Sequence, residues 1–186
     1  MEDKIVKAKE FVLNGGVILY PTDTIWGIGC SAIIESAIKK IFRIKRRDNN
    51  KLLISLVSSI EMLERYVKNI PENVLKYLYD ESPTTIVYPK VTGLNQILYG
   101  KNESIAIRLV KDNFCKALID QINVPLISTS ANISGNPFPK KFKEIDKKII
   151  NGVDYVVNFD DNNLENSKPS RIIKVLLNGQ IDIIRE

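Results

Sequence analysis

There is no histidine among the 186 residues of this chain. The absence removes the most common general base, the Ser-His and Cys-His nucleophile systems and the commonest metal ligand. Any chemistry has to rest on lysine, arginine, hydroxyls and carboxylates. Cysteine is almost as scarce: Cys30 and Cys115 are far apart and form no Cys-x-x-Cys pair. Neither a zinc site nor a disulfide framework is indicated, and a reducing cytoplasm is the expected compartment. No apolar run approaches the ~20 residues needed to span a bilayer. Met1 to Leu13 mixes charge with Ile5, Val6, Phe11 and Val12 at helical spacing, unlike the unbroken apolar core of a signal peptide. A soluble protein is expected. Glycine-rich phosphate loops are missing too, both the Gly-Lys-Ser type and the dinucleotide fingerprint, so a bound nucleotide would be held another way.

What is present bounds the answer further. The length suits one domain with a sizeable core, and no Pro/Gly/Ser-rich linker divides it, so residues 1–186 are read as a single domain. Lysine and arginine number 27 against 22 aspartate and glutamate, a net charge of +5, which suits an anionic partner such as a nucleotide or RNA.

Helical and extended patterns alternate along the chain. After the first helix, Gly15-Gly16 breaks it and Val17 to Tyr20 reads as a buried strand stopped by Pro21. Ser36 to Arg46 carries a helical apolar face, and Leu52 to Val57 is a strand. Ser59 offers an N-cap to a helix through Tyr66, and Pro71 opens another through Tyr79. Thr84 to Tyr88 and Ile105 to Leu109 are β-branched strands, and Phe114 to Ile122 has helical spacing. Lys140 to Ile150 is expected as a surface helix and Asp160 to Lys168 as a polar loop. Asn178-Gly179, between Arg171 to Leu177 and Gln180 to Arg185, is a strong hairpin signal. The pattern predicts an α/β fold with a mixed sheet and flanking helices, parallel where helices cross over and antiparallel in the terminal hairpin.

Polar groups gather where these elements end. Ser128 to Gly135 packs hydroxyls and an amide behind the strand Val124 to Ile127, and reads either as a Ser-rich turn or as a place where backbone and hydroxyls meet an anion. Pro21-Thr22-Asp23-Thr24, whose two threonines either cap a turn or hydrogen-bond a zwitterionic ligand, runs into Trp26-Gly27-Ile28-Gly29, whose glycines permit tight turns and close backbone approach. Lys45-Arg46-Arg47 ends a helix, with Lys51 just beyond. These cations either form a solvated basic end or, if the helix unwinds, point into one cleft. Arg108 stands within an apolar strand, where a charge costs several kcal/mol unless paired. A structural salt bridge and a bound carboxylate are both open.

These segments resemble, in their order, the YrdC/Sua5 family of threonylcarbamoyl-AMP synthases in its short single-domain form. The marks are Pro21-Thr22-Asp23-Thr24, Lys45 with Arg47, Pro83 with Thr85, Ala106-Ile107-Arg108, Ser130-Ala131-Asn132 with Ser134-Gly135, and Pro169-Ser170. One such motif alone is weak; the set in order is specific. The resemblance covers nearly the whole chain. It implies a twisted sheet around a large basic cavity, and the condensation of L-threonine, bicarbonate or CO2, and ATP into L-threonylcarbamoyladenylate with release of pyrophosphate. That is a nucleotidyltransferase step toward N6-threonylcarbamoyladenosine on tRNA, with downstream threonylcarbamoyl-transfer proteins as partners and Mg²⁺ accompanying ATP. Position by position, it implies threonine contacts at Thr24, Arg108, Ser128 and Ser170. ATP contacts fall at Arg47, Lys51, Ser104, Ser130, Asn132 and Arg185, with Lys45 and Arg47 catalytic beside the phosphates. The sequence departs from the family pattern at Asp48, at Glu81-Ser82 and at Arg171. The competing reading is a non-catalytic RNA-binding module of the same fold, whose affinity would fall steeply with salt and need no threonine.

Overall fold

The computed structural model describes residues 1–46, 52–100, 103–157 and 168–186. Arg47 and Lys51, the departure at Asp48 and most of the expected loop Asp160 to Lys168 lie outside them.

The chain opens with helix α1 (Glu2–Leu13), whose Ile5, Ala8 and Val12 are buried. Strands β1 (Ile18–Pro21) and β2 (Trp26–Ser31) form an antiparallel hairpin, followed by α2 (Glu35–Lys45) and β3 (Ile54–Val57). Two short helices come next. In α3 (Ile60–Glu64), Ser59 caps the N-terminus by accepting from the Met62 N–H; α4 spans Glu72–Tyr79 behind Pro71. Strands β4 (Thr84–Tyr88) and β5 (Ile105–Leu109) lead to α5 (Asn113–Ile122), then β6 (Leu126–Ser130), α6 (Lys147–Gly152) and β7 (Tyr155–Val156). The chain closes with β8 (Arg171–Val175) and β9 (Ile181–Arg185).

Among the described residues these strands form one sheet in the order β7-β1-β2-β6-β3-β5-β4-β8-β9. The sheet is mixed, as expected: β1·β7, β3·β5 and β4·β8 are parallel and the other neighbours antiparallel. Helix α1 packs on α5 and on the β1–β2 hairpin, α5 and α3 lie against β3, and α2 lies against β2 and α6. Asn178-Gly179 turns the last hairpin, with Gly179 at φ +82°.

Trp26 to Gly29 make no tight turn and instead begin β2, a strand buried along its whole length, while the close backbone approach expected of the glycines is present. Glycine weakens the strand signature, yet here it makes room. A Cβ on Gly29 would lie 2.4 Å from the Ile127 carbonyl oxygen of β6 and 2.9 Å from the Tyr20 ring. The expected helix Lys140 to Ile150 is instead a 3₁₀ turn at Phe142–Glu144 followed by α6. Phe142 turns in to pack its ring on Trp26, with centroids 5.4 Å apart, and Asp146 begins a new helix by accepting from the Lys148 N–H. The Ser-rich segment also starts inside the sheet, because β6 runs on to Ser130.

Gly29→Ala should destabilise the fold by about 1–3 kcal/mol or more, since the added methyl meets backbone that cannot rotate away. The midpoint of urea unfolding measures it, and an unchanged midpoint would contradict the close approach of β2 to β6.

A candidate active site on the sheet

The strand register lays out the site. Leu126, Leu56, Arg108, Thr85, Ile172 and Arg185 stand opposite one another across adjacent strands; the next row along holds Gly29, Ser128, Ile54, Ala106 and Val87, and Gly27 pairs with Ser130 beyond it. Most of these residues line one cavity of about 440 Å³. Its floor is apolar, made by Ile54, Leu56, Val87, Ala106 and Ile172. Around it stand Thr22, Thr24, Ser128, Ser130, Asn132, Ser170 and the two arginines. The residues alternating with the floor, Ser55, Ile86, Ile107 and Ile173, are buried on the other face.

At one end Arg108 is only 4% exposed. Its Nη2 donates to Asp23 Oδ1 at 2.8 Å and its Nη1 to Thr24 Oγ1 at 3.3 Å. Thr22 supports the pair: its hydroxyl accepts from the Thr24 N–H at 3.0 Å and donates to the Ile25 carbonyl at 2.8 Å. The two alternatives for Arg108 are thus both partly met. It has a structural salt bridge, and it also faces the cavity with its Nε unpartnered. Burial pushes the Asp23 carboxyl up, the Arg108 charge opposes this, and Asp112 adds to it.

At the other end helix α2 stops because Arg46 adopts a left-handed conformation, φ 49°. Lys45, 1% exposed, does not line the cavity. Its ammonium lies under the turn after β6, donating to the carbonyls of Ser130 and Asn132 and, at 3.1 Å, to Asn132 Oδ1. Ser130 Oγ donates to the same Oδ1 at 2.5 Å, and the Ser134 N–H donates back to the Lys45 carbonyl. The cation is a brace for the turn that carries Ser130 and Asn132.

Ser170 is held from two sides. Its hydroxyl and that of Thr85 are 2.8 Å apart, and its carbonyl accepts from Arg185 Nε and Nη2 at 3.1 and 2.6 Å. Partial burial, and then the Arg108 charge, hold the Arg185 pKa below its ordinary value. Two guanidiniums therefore share the cavity, and no carboxylate is among its described lining residues. Such a site favours an anion.

The structure brings together Thr24, Arg108, Ser128, Ser130, Asn132, Ser170 and Arg185. Ser104 lies apart, lining a neighbouring pocket with Pro89 and Lys174. Arg171 alternates with the cavity-facing Ile172 and pairs with Asp80 at 3.1 Å, so that departure from the family pattern does not enter the cavity. Thr22 joins Thr24 in the lining, so both threonines of that segment stand where a ligand could meet them; sequence reasoning passed over Phe138, which lines the cavity between Pro137 and the buried Pro139. Pro-Phe-Pro is legible as an aromatic with little backbone freedom on either side. Both cysteines are buried with their thiol pKa pushed up, so neither offers a ready thiolate. No group of three or more Cys, Asp or Glu side chains able to hold a metal occurs among the described residues.

Comparison with known proteins bears on the family and the fold. The Sua5/YciO/YrdC family model, described as telomere recombination, matches residues 10–186. A Methanocaldococcus jannaschii protein named "Putative threonylcarbamoyl-AMP synthase" is 37% identical over 170 residues, covering 90% of this chain and 78% of its own. A Pyrococcus abyssi threonylcarbamoyl-AMP synthase is 31% identical over 158 residues, covering 84% of this chain and 46% of its own. The crystal structure of P. abyssi Sua5 complexed with L-threonine superposes with a TM-score of 0.86 at 28% identity, covering all of this chain and 54% of that one. The chain thus spans about half the length of the Pyrococcus proteins. On the match of its motifs, its sheet and nearly its full length, the chain belongs to the Sua5/YciO/YrdC family.

Proposed function

We propose that this chain is a threonylcarbamoyl-AMP synthase, which condenses L-threonine, bicarbonate or CO2, and ATP with release of pyrophosphate. The observation that carries the reading is the cavity itself, where two arginines face an apolar floor with hydroxyls on either side and no carboxylate in the described lining.

Threonine lies at the Arg108 end. The guanidinium takes its carboxylate, and Thr24, Ser128 and Ser170 supply hydroxyls to its polar groups. The nucleotide lies toward Ser130, Asn132 and Arg185. Lys45 acts through the turn it braces, which keeps Ser130 and Asn132 aimed at the phosphates. Arg47 and Lys51, outside the described residues, and Ser104 in the neighbouring pocket keep the ATP roles that the family resemblance gives them.

The chemistry needs no strong protein base. The threonine amine, having lost its proton, attacks CO2 and forms the carbamate N–C bond. A carbamate oxygen then attacks the α-phosphorus of ATP while the bond to pyrophosphate breaks. The protein holds two anions together over an apolar surface and spreads the developing charge onto fixed donors. Mg²⁺, if carried by the nucleotide, would neutralise phosphate charge; with no carboxylate in the described lining, phosphates and water would supply its ligands. The reaction makes the chain a nucleotidyltransferase whose product is passed to threonylcarbamoyl-transfer proteins acting on tRNA. No helix among the described residues is long and apolar enough to cross a membrane.

Pyrophosphate release from ATP, measured with threonine and bicarbonate omitted in turn, tests this directly. Release should require both; release indifferent to threonine would sink the substrate assignment, and RNA affinity with no release would favour a binding module. Arg108→Lys should raise the KM for threonine about tenfold or more and leave that for ATP within about twofold. Equal effects on both would count against the carboxylate role. Ser128→Ala should chiefly weaken threonine binding and Ser130→Ala chiefly ATP binding, as read by titration calorimetry with each ligand; the reverse pattern would exchange the two ends of the cavity.

A further inference from the structure

Asp23 does not line the cavity, yet it is the buried carboxylate that meets Arg108. It sits on the turn between β1 and β2, 9% exposed, with Oδ1 accepting from Arg108 Nη2 at 2.8 Å. Thr24, the next residue on the same turn, accepts from Nη1. Two of the three guanidinium nitrogens are thus held by consecutive residues, which fixes the plane of the group, while Nε remains without a partner. A planar fork recognises a carboxylate only if its plane is set in advance. Asp112, the other carboxylate near Asp23, caps α5 with its Oδ1, which accepts from the Cys115 N–H at 2.7 Å, and forms no ion pair with Arg108 among the described residues.

We propose that Asp23 is a positioning residue for substrate selection: by holding Arg108 from behind the cavity, it aims the donors left over at the carboxylate of the amino-acid substrate. The chain's preference for a free α-carboxylate over an uncharged group then depends on a residue that need not touch the substrate. The inference rests on the reading of Arg108 as the carboxylate ligand and deepens it. A purely structural ion pair would affect stability and both substrates alike.

The test compares kcat/KM for L-threonine and for L-threoninamide, which keeps the amine and hydroxyl and lacks the carboxylate. Asp23→Asn should lower the threonine-to-threoninamide ratio about tenfold while the ATP KM stays within about twofold. In the double variant with Arg108→Lys the two losses should not add, because both act through one guanidinium. Should Asp23→Asn fail to fold, Asp23→Glu displaces the same charge by one methylene and should lower the ratio in the same direction. A wild-type ratio in a folded Asp23 variant, equal effects on both amine substrates, or tighter threonine binding would overturn the proposal. Arg108→Lys separates the two levels: if it leaves the ratio unchanged, the carboxylate reading of Arg108 fails, and if it lowers the ratio while the Asp23 variants do not, only the role of Asp23 fails.

Discussion

A nearly solvent-free ammonium organises one half of this molecule. Lys45 closes helix α2 and donates to the Ser130 and Asn132 carbonyls and to the Asn132 side chain. A buried cation is costly unless its donors are met, and the acceptors it meets include two main-chain oxygens that water would otherwise satisfy. The bonds therefore hold the end of α2 and the turn after β6 together, and each fixes the other. Arg46 in the left-handed region ends the helix just beyond. The position of Ser130 in the cavity follows from its pairing with Gly27 and from that brace, and the position of Asn132 is held by the brace rather than by local turn propensity alone.

The other half depends on a guanidinium under the same constraint and meets it differently. Arg108 is placed by a central strand and compensated by a carboxylate from a turn that is remote in sequence. The cavity's two ends are thus anchored by cations of different kinds. One is spent on the backbone and side chain of the segment at the end of β6, and one retains an unpartnered nitrogen. Arg185 adds a third, anchored among the described residues through the Ser170 carbonyl, and its lowered pKa reflects partial burial and the like charge of Arg108. An anionic ligand between the two arginines would relieve that repulsion.

Much of this was legible in the sequence, for identifiable reasons. Strands β4 and β5 came out with the expected boundaries because β-branched runs between polar residues have few alternatives. The hairpin at Asn178-Gly179 needed only its turn. Arg108 could be singled out because a charge within an apolar strand demands an explanation, but its partner could not: Asp23 lies in a polar turn, and nothing local says that β1–β2 and β5 converge. Strand β2 was hidden for the converse reason, since Gly27 and Gly29 are explained only by the Tyr20 ring and the β6 backbone they admit. Likewise the direction of the Lys45 ammonium depends on β6, which is distant in the chain. Local propensity reads elements well, and the site is made of meetings between them.

The apolar floor of Ile54, Leu56, Val87 and Ala106 has a consequence in time as well as in space. Carbamates revert to amine and CO2, and acyl phosphates are cut by water, so a bound intermediate of either kind lasts only as long as the surface beneath it stays dry. Aliphatic side chains offer a water molecule nothing to hold on to. In the proposed reaction the sheet would thereby shelter a fragile product, and its capture would be a race between release to an acceptor and loss to solvent.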